Sequence, residues 1–362
     1  MTASKFGGQY LAKFFGGQPN HGHLVINIDP DMNGVGRAHL IIGDKPTIRT
    51  FDCDVFQGVG GDLSGRYVET SPRESSDDGK EPPPVEFEPK TFRISREGSF
   101  DLLHLENEQA ADPIQLTNID SLGSIAPLQI GSWTEFRKWA DAAKSEDPGS
   151  IFRGVSLARH RLTTSFHRTG RVDLVRYHER DLHIFSEMAE TIGDLKLSGD
   201  IGATLGFAQH HGFPTPLLDW TESPYIAAYF AHLGAIEDRR GAGGESVKIY
   251  KMRGDFVSRN CPKSVGMTDG FPRIWIFKPR SSGNKRLIYQ QGIFTHSNIV
   301  NIESYLRSLE LPNGPSILDV IEIPARLARE SFLNLHNMGI SHLTLFPGLD
   351  GAAKYSAHKC FA

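Results

Sequence analysis

The first third of the chain consists of short runs in which apolar and polar residues alternate. Residues 85–88 and 91–94 repeat with a period of two, as half-buried strands do. Further strand-like runs occupy residues 23–29, 37–42, 47–51 and 99–105. Strands that are this short and this closely spaced predict an antiparallel sheet or a sandwich.

A polar stretch rich in proline interrupts these runs at residues 70–84. It contains no aromatic residue, and this composition predicts a long mobile loop. We place a domain boundary at residues 123–127. The chain then divides into a β-rich N-terminal domain at residues 1–125 and a second domain at residues 126–362.

Beyond this boundary, apolar residues recur at helical spacing between further strand-like runs. Ser132 followed by Glu135 is the pattern of a capping box, which begins a helix. Ser223 and Pro224 begin another helix, with proline in the first turn. Helices are also predicted at residues 173–192 and 326–338, and strands at 151–154, 248–251, 273–277 and 317–323. This mixture predicts an α+β fold.

Composition and charge narrow the class of protein. The 362 residues suggest about two domains, and the net charge of −4 does not indicate a nucleic-acid binder, although local basic patches stay open. Cys53, Cys261 and Cys360 lie too far apart for a disulfide framework or a zinc site. Because the chain has no signal peptide and no stretch of about 18 apolar residues, we expect a cytoplasmic protein without membrane contact.

Familiar catalytic motifs are absent from the sequence. It contains no P-loop, HExxH or G-x-G-x-x-G pattern. His178 and His183 are five residues apart, which on a helix rotates them by about 140° and keeps them from sharing a metal ion. Residues 154–158 resemble a nucleophile elbow without its last glycine, which argues against a serine hydrolase. We therefore expect no metal site.

Polar chemistry is concentrated between residues 209 and 224. This segment holds two histidines, Asp219 and Trp220 around a turn with two prolines, and an apolar run follows at residues 225–231. So many polar side chains next to an apolar run predict a turn that presents them from the start of a buried helix.

Five blocks of sequence carry a resemblance to a known family. They are FRG at residues 152–154, QHHG at 209–212, LLDWT at 217–221, QQGIF at 290–294 and LFPGLDG at 345–351. In this order they resemble the FRG domain, which is named for its Phe-Arg-Gly triplet, over about residues 128–355. The resemblance does not extend to the β-rich N-terminal part.

The resemblance implies both a fold and a chemistry. The FRG family is distantly similar to ADP-ribosyltransferases, which implies an ADP-ribosyltransferase-like split antiparallel sheet with a cleft for NAD as substrate. In that fold three strand positions carry the chemistry: an Arg or His, a Ser/Thr-rich turn before a helix, and usually a Glu. By order along the chain, Arg153 takes the first position, residues 219–223 the second, and Gln290 or Gln291 the third.

These assignments agree with the chemistry of NAD. The guanidinium of Arg153 offers bidentate donors to a pyrophosphate, and Gly154 lets a ligand approach the backbone. Aromatic rings stack on nicotinamide, and N–H groups at a helix start favour anionic oxygen. The resemblance thus implies catalysis by Arg153, Asp219 and Gln291, and NAD binding by Arg153, Gly154, His210, Trp220, Thr221, Ser223, Tyr225 and Gln290.

Two departures from the family pattern leave alternatives open. The third position is Gln, so that Asp219 or Glu222 supplies the charge for an oxocarbenium-like state, or catalysis is weak, or the domain only binds a nucleotide. Pro216 stands where the family commonly has Arg. Structural roles also stay open: a pairing of Arg153 with Asp219, a turn cap at His210, a core position for Trp220 and a β-bulge at Gln291.

The leading hypothesis is an NAD-dependent ADP-ribosyltransferase or NAD glycohydrolase, of the kind that serves as a toxin or phage-defence effector. The acceptor of ADP-ribose, a protein or a nucleic acid, stays open. In one alternative the domain is a non-catalytic nucleotide-binding sensor. In another the chain is an adaptor whose N-terminal domain binds a partner protein along free sheet edges.

Overall fold

The chain folds into an eight-stranded barrel followed by a seven-stranded sheet with helices. The computed structural model describes residues 8–15, 21–32, 35–42, 49–57, 63–71, 91–97, 100–106, 113–193, 197, 201–237, 245–261, 272–278 and 285–361. The strand predicted at residues 85–88 and most of the loop predicted at residues 70–84 lie outside the described residues.

The N-terminal strands close into an antiparallel barrel. They are β1 (Gly8–Phe15), β2 (His21–Ile28), β3 (Val35–Ile42), β4 (Arg49–Gln57), β5 (Leu63–Ser71), β6 (Thr91–Glu97), β7 (Phe100–Glu106) and β8 (Ile114–Asn118). The inward side chains follow a period of two, since Leu24, Ile26 and Ile28 on β2 share one apolar cluster of barrel residues, whereas Val25 belongs to another cluster. The predicted antiparallel sheet is confirmed, but it forms a barrel and not a sandwich, because β1 pairs with β8 and closes the ring.

Closure also removes the sheet edges that we expected as a docking surface. Each of the strands β1–β8 pairs with a neighbour on both sides. None of the described barrel strands is therefore an edge strand over its whole length, as docking of an extended segment of another protein would need.

The rest of the chain forms a second sheet, which opens near its centre. Its strands are β9 (Leu128–Gln129), β10 (Ile151–Val155), β11 (Leu217–Thr221), β12 (Ser246–Met252), β13 (Ile274–Phe277), β14 (Gly292–Ser297) and β15 (Leu318–Pro324). The order is β13-β14-β11-β10-β12-β15-β9, and neighbours are antiparallel except β15 and β9. Strand β10 pairs with β12 along its whole length, but only Phe152 and Thr221 join β10 to β11.

Helices cover this sheet. They are α1 (Trp133–Glu146), α2 (Ser165–Arg168), α3 (Leu174–Arg176), α4 (Leu182–Gly193), α5 (Ile201–His210), α6 (Pro224–Glu237), α7 (Gly254–Arg259), α8 (Lys285–Tyr289), α9 (Ile302–Ser308), α10 (Ala328–Asn337), α11 (His342–Leu345) and α12 (Leu349–Phe361). The predicted helices are confirmed at α1, α6 and α10, and a π turn at Tyr177–Asp181 joins α3 to α4 within the helix predicted at residues 173–192. The α+β fold is confirmed.

The two faces of the sheet are buried against different layers. On one face, Ala227 and Ala228 of α6 share an apolar cluster with Phe152 and Ile249 of the sheet. On the other face, Ile151 belongs to a cluster that includes Leu11 and Val25 of the barrel. The alternation of Ile151 and Phe152 is the period-two pattern of a strand that is buried on both sides.

A buried carboxylate fixes the junction between barrel and sheet. Asp29, which follows β2, has a fully buried side chain, and its Oδ2 lies 3.2 Å from both Arg171 Nε and Arg176 Nη1. Its Oδ1 accepts hydrogen bonds from the N–H groups of Val172 (2.7 Å) and Asp173 (3.1 Å) at the start of α3. Four donors therefore compensate a charge that would otherwise be costly to bury.

Three histidines, of which His167 and His296 are buried and His178 is half-buried, lie between α2, the π turn and β14. The rings of His178 and His296 stack with centroids 6.1 Å apart. Burial lowers the pKa of His167 and His296 to about 3 and that of His178 to about 4, and the neighbouring imidazoles add to the effect at His296. In the described part of the chain the Nε2 atoms of all three have no hydrogen-bond partner. The three rings are therefore neutral in the folded protein at neutral pH.

We expect the free energy of unfolding to fall as the pH is lowered from 6.5 towards 4. In this window the unfolded chain protonates histidines of ordinary pKa 6.5, whereas the folded protein does not, so unfolding takes up protons. Each buried histidine contributes a slope of about 1.4 kcal/mol per pH unit. Urea unfolding between pH 4.5 and 7.5 measures the slope of the free energy of unfolding against pH.

The H178F variant should show a shallower slope than wild type. The control H183F, at a position that is 65% exposed, should keep the slope of wild type. Equal slopes in wild type and H178F would contradict the expectation.

Candidate functional site

A cleft of about 450 Å³ lies where β10 and β11 separate. Residues predicted from the sequence that line it are Arg153, Gly154, His210, Asp219, Trp220, Thr221 and Gln290. Residues that the sequence analysis did not assign to the site also line it, among them Gln209, Phe230 and Arg286. Ser223, Tyr225 and Gln291 are not part of this lining.

The carboxylate of Asp219 is oriented by one neutral hydrogen-bond donor. Its side chain, near the middle of β11, is 64% exposed, and Gln209 Nε2 donates a 2.7 Å hydrogen bond to its Oδ1. The buried hydroxyl of Thr215 donates in turn to Gln209 Oε1. Gln209 is the last-turn residue of α5 that keeps Asp219 oriented without neutralising its charge.

Arg153 spans the opening between the central strands. Its Nη1 donates a hydrogen bond to the backbone oxygen of Asp219 and lies 4.0 Å from Asp219 Oδ2. Burial lowers the pKa of the Arg153 guanidinium, and the Asp219 carboxylate opposes this shift. Arg153 therefore both lines the cleft and ties β10 to β11 beside their one residue pair.

A second guanidinium, that of Arg286, also lines the cleft. Arg286 of α8 stacks over the ring of Phe346 at 4.2 Å from its centroid. Burial lowers the pKa of Arg286, and the charge of Asp219 opposes the shift. Within the described part of the chain, the Arg286 side chain makes no hydrogen bond, so its donors stay free for a ligand.

His210 ends α5 at the rim of the cleft. Its ring is exposed and lies edge-on to that of His211, with centroids 5.1 Å apart. Burial lowers the pKa of His210, and the charges of Arg286 and His211 add to this effect. Gly212 then ends the helix in the left-handed region, at φ 78°.

Three predicted residues line the cleft with their polar groups already engaged in hydrogen bonds. The indole of Trp220 is only 3% exposed and donates to Thr295 Oγ1 at 3.0 Å, which makes it a core side chain rather than a stacking surface. Thr221 Oγ1 donates to the backbone oxygen of Gln290 at 2.8 Å. The amide of Gln290 itself donates to Leu345 O at 3.1 Å.

Of the three predicted residues outside the lining, two make hydrogen bonds elsewhere in the fold and one lies in a turn. Ser223 Oγ accepts from Ile226 N in the first turn of α6, and Tyr225 OH donates to Asp141 of α1 at 2.6 Å. Gln291 lies in the turn before β14, is exposed, and has a left-handed backbone with φ 47°. Because β14 lies between β13 and β11, Gln291 is in a turn rather than in a bulge of an edge strand.

Gly154 is required by the close approach of a helix. It lines the cleft, but a Cβ at this position would stand 2.0 Å from the backbone oxygen of Ala227 and 2.8 Å from Ala231 N, both in α6. The glycine of the Phe-Arg-Gly triplet thus lets α6 lie against β10.

We expect G154A to lower the free energy of unfolding by at least about 1–3 kcal/mol, because the added methyl group forces α6 away from the sheet. Chemical denaturation measures this change. G131A is the matched control, since a Cβ there meets nothing nearer than a Glu135 carboxylate oxygen at 3.5 Å. Equal effects of the two substitutions would show that contact with α6 is not the reason for glycine.

The charge balance of the cleft is positive. Asp219 is the one carboxylate among the described residues that line it, whereas Arg153 and Arg286 each contribute a guanidinium. Glu222, the other candidate acid, is outside the lining and forms an ion pair with Lys278. The sequence signal that points to Arg286 is its place just before the QQGIF block, and Gln209 begins the QHHG block.

Fold and site together define an α+β protein whose sheet opens into a cleft with two guanidiniums and one carboxylate. Residues 149–239 match the model of the FRG domain family. The chain therefore carries an FRG domain at these residues, as the first three of its five sequence blocks indicate. The matched range contains Arg153 and Asp219 but ends before Arg286. No curated protein and no solved structure matches the chain significantly.

The described residues contain neither a metal-binding cluster nor a membrane-spanning helix. They contain no group of three His, Cys, Asp or Glu side chains arranged to hold a metal ion. None of the helices in those segments combines the length and the apolar composition needed to cross a membrane. The thiols of Cys261 and Cys360 are free and exposed.

Proposed function

We propose that the cleft binds NAD and that the protein cleaves the bond between nicotinamide and ribose, as an ADP-ribosyltransferase or an NAD glycohydrolase. The observation that carries this proposal is the Asp219 carboxylate, which Gln209 orients inside a cleft with Arg153 and Arg286. A nucleotide diphosphate needs cationic donors, and a developing oxocarbenium ion needs a nearby negative charge.

In this reaction Arg286 binds the diphosphate and Asp219 stabilises the sugar cation. Arg286 is suited to the first role because its donors are free, whereas Arg153 already donates to the β11 backbone. Asp219 is suited to the second role because Gln290 and Gln291 offer amides, which hydrogen-bond but cannot neutralise a cation. We assign to Asp219 the charge that a Glu usually supplies at the third position.

We further propose that the sheet β9–β15 is a variant of the ADP-ribosyltransferase fold. Its antiparallel strands separate between β10 and β11, and the cleft lies at that separation. Such an enzyme would serve as a toxin or a phage-defence effector, and the barrel would then sense a trigger or select a target. Asp29 joins the barrel to the sheet, because its carboxylate accepts hydrogen bonds from Val172 N and Asp173 N at the start of α3.

Release of nicotinamide tests the proposed function. Purified protein is incubated with NAD labelled in the adenosine half, alone and with cell lysate, and nicotinamide and labelled macromolecules are quantified. Release without labelled macromolecules indicates a glycohydrolase, and label on macromolecules indicates a transferase. The proposal fails if neither product forms in either mixture.

A second candidate function is a nucleotide-binding sensor without turnover. It is favoured by the third position, where Gln290 is bound to Leu345 O and Gln291 lies outside the cleft lining. Calorimetry with NAD and ADP-ribose separates the two functions. Binding of NAD without nicotinamide release would favour the sensor.

A further inference from the structure

The chain around β10 carries positive charge without acidic residues. Residues 149–172 contain no Asp or Glu, but they contain Arg153, Arg159, Arg161, Arg168 and Arg171. This concentration contrasts with the net charge of −4 for the whole chain. A local cationic surface of this kind attracts polyanions irrespective of net charge.

Two of these arginines have no carboxylate partner in the described part of the chain. Arg159 pairs with Glu245, Arg171 with Asp29 and Asp181, and Arg153 with Asp219. Arg161 and Arg168, in contrast, are exposed and form no ion pair there. Arg168 only donates to the backbone oxygen of Thr163, at 2.7 Å. We name Arg161 and Arg168 the basic rim.

The basic rim lies next to the cleft. Ser165 of α2 and Thr215 exchange hydrogen bonds of 3.1 and 2.9 Å, and Thr215 holds Gln209. Arg168 ends this short helix. Burial of Arg153 is the main cause of its lowered pKa, and the charge of Arg168 lowers this pKa further. Arg161 interacts electrostatically with Tyr250, which is paired with Arg153 across β10 and β12.

We propose that the basic rim binds the phosphate backbone of a nucleic acid and that this nucleic acid is the acceptor of ADP-ribose. The second part rests on the proposed function. The rim places two exposed guanidinium forks, which match phosphate oxygens, beside the cleft in which the ribose cation would form.

The surroundings of the rim favour a nucleic acid over an acidic protein. The large apolar side chains between the arginines, Leu157, Leu162, Phe166 and Val172, are all buried. A protein interface needs exposed apolar or aromatic anchors at its centre. Contact with a phosphate backbone needs only cations that displace counterions.

The transfer balances without a further reactant. The bond between ribose C1′ and the nicotinamide nitrogen breaks, and its electron pair leaves with nicotinamide. An oxygen or nitrogen of the nucleic acid forms the new bond to C1′ and gives up its proton to solvent. Asp219 faces the sugar cation that exists after the first bond breaks and before the second bond forms.

Binding is tested first and without NAD. The affinity of the full chain for a fluorescent single-stranded RNA and the matching DNA is measured by anisotropy over a range of salt concentrations. Reversing both rim charges, in R161E/R168E, should weaken binding by at least about tenfold and reduce the salt slope by about 1.4, since each single-strand contact contributes about 0.7. The matched control, R326E/R329E, reverses two exposed charges at and just before α10 and should bind like wild type.

The outcomes separate the rim from the proposed function. Failure of wild type to bind either strand, equal losses in both double variants, or equally tight binding of polyglutamate would overturn the rim proposal. Binding of nucleic acid without any nicotinamide release would support binding by the basic rim and would contradict the proposed cleavage of NAD. With NAD labelled in the adenosine half, label should appear on the RNA or DNA and decrease in R161E/R168E; label on lysate protein alone would overturn the acceptor assignment.

Discussion

The D219N variant is expected to release nicotinamide from NAD about 10²–10³-fold more slowly than wild type, without weaker binding of ADP-ribose. The substitution keeps the size and shape of the side chain, and its Oδ1 can still accept the hydrogen bond from Gln209. It removes only the negative charge that faces the sugar cation. Turnover measured by nicotinamide release and binding measured by calorimetry separate a lost charge from a lost fold.

The matched control for D219N is E222Q. Glu222 lies three residues further along, outside the cleft lining, and pairs with Lys278 in an exposed ion pair. E222Q should therefore release nicotinamide at close to the rate of wild type. A slow E222Q beside a normal D219N would assign the charge to Glu222 instead and would require the cleft to rearrange on binding.

The D29N variant is expected to lower the free energy of unfolding by about 3–5 kcal/mol. Asp29 has a fully buried side chain that neutralises Arg171 and Arg176 at the junction of barrel and sheet. Asn keeps the shape but leaves two guanidiniums, which are 24% and 17% exposed, without their shared counter-charge. Urea denaturation followed by fluorescence and by circular dichroism measures the loss.

An exposed aspartate in the same cluster is the control. Asp31 makes two hydrogen bonds to Arg176, of 2.8 and 2.7 Å, but its side chain is 57% exposed. Because solvent screens this pair, D31N should cost only about 0–1 kcal/mol. If the two variants lost equal stability, burial of Asp29 would not be what holds the barrel to the sheet.

Part of the site could be predicted because its residues lie on short local blocks. Arg153 lies on a strand that the sequence pattern predicted, whereas Asp219 lies on β11, where the pattern predicted a turn. The order of the sequence blocks assigned both residues to the site, and both line the cleft. The block order also pointed to Gln291, but register decides its place. Thr221 is paired with Gly292, so Gln291 falls one residue before the strand, in a turn with φ 47°.

The rest depends on contacts between distant parts of the chain. Arg286 faces the cleft because it stacks on Phe346, about sixty residues further along. The barrel closes because β1 pairs with β8, for example at Ala12 and Asn118. Alternation within single strands carries no information about either contact, since it determines which face of a strand is buried and not which strand is its neighbour.

The narrow join between β10 and β11 gives a ligand a mechanical role. Arg153 belongs to one half of the sheet, whereas Arg286 precedes β14 in the other half, and the backbone links these halves through Phe152 and Thr221. A molecule that engages both guanidiniums would act as a crosslink across the weakest seam of the sheet. Binding of a ligand in the cleft would therefore make the surrounding sheet more rigid.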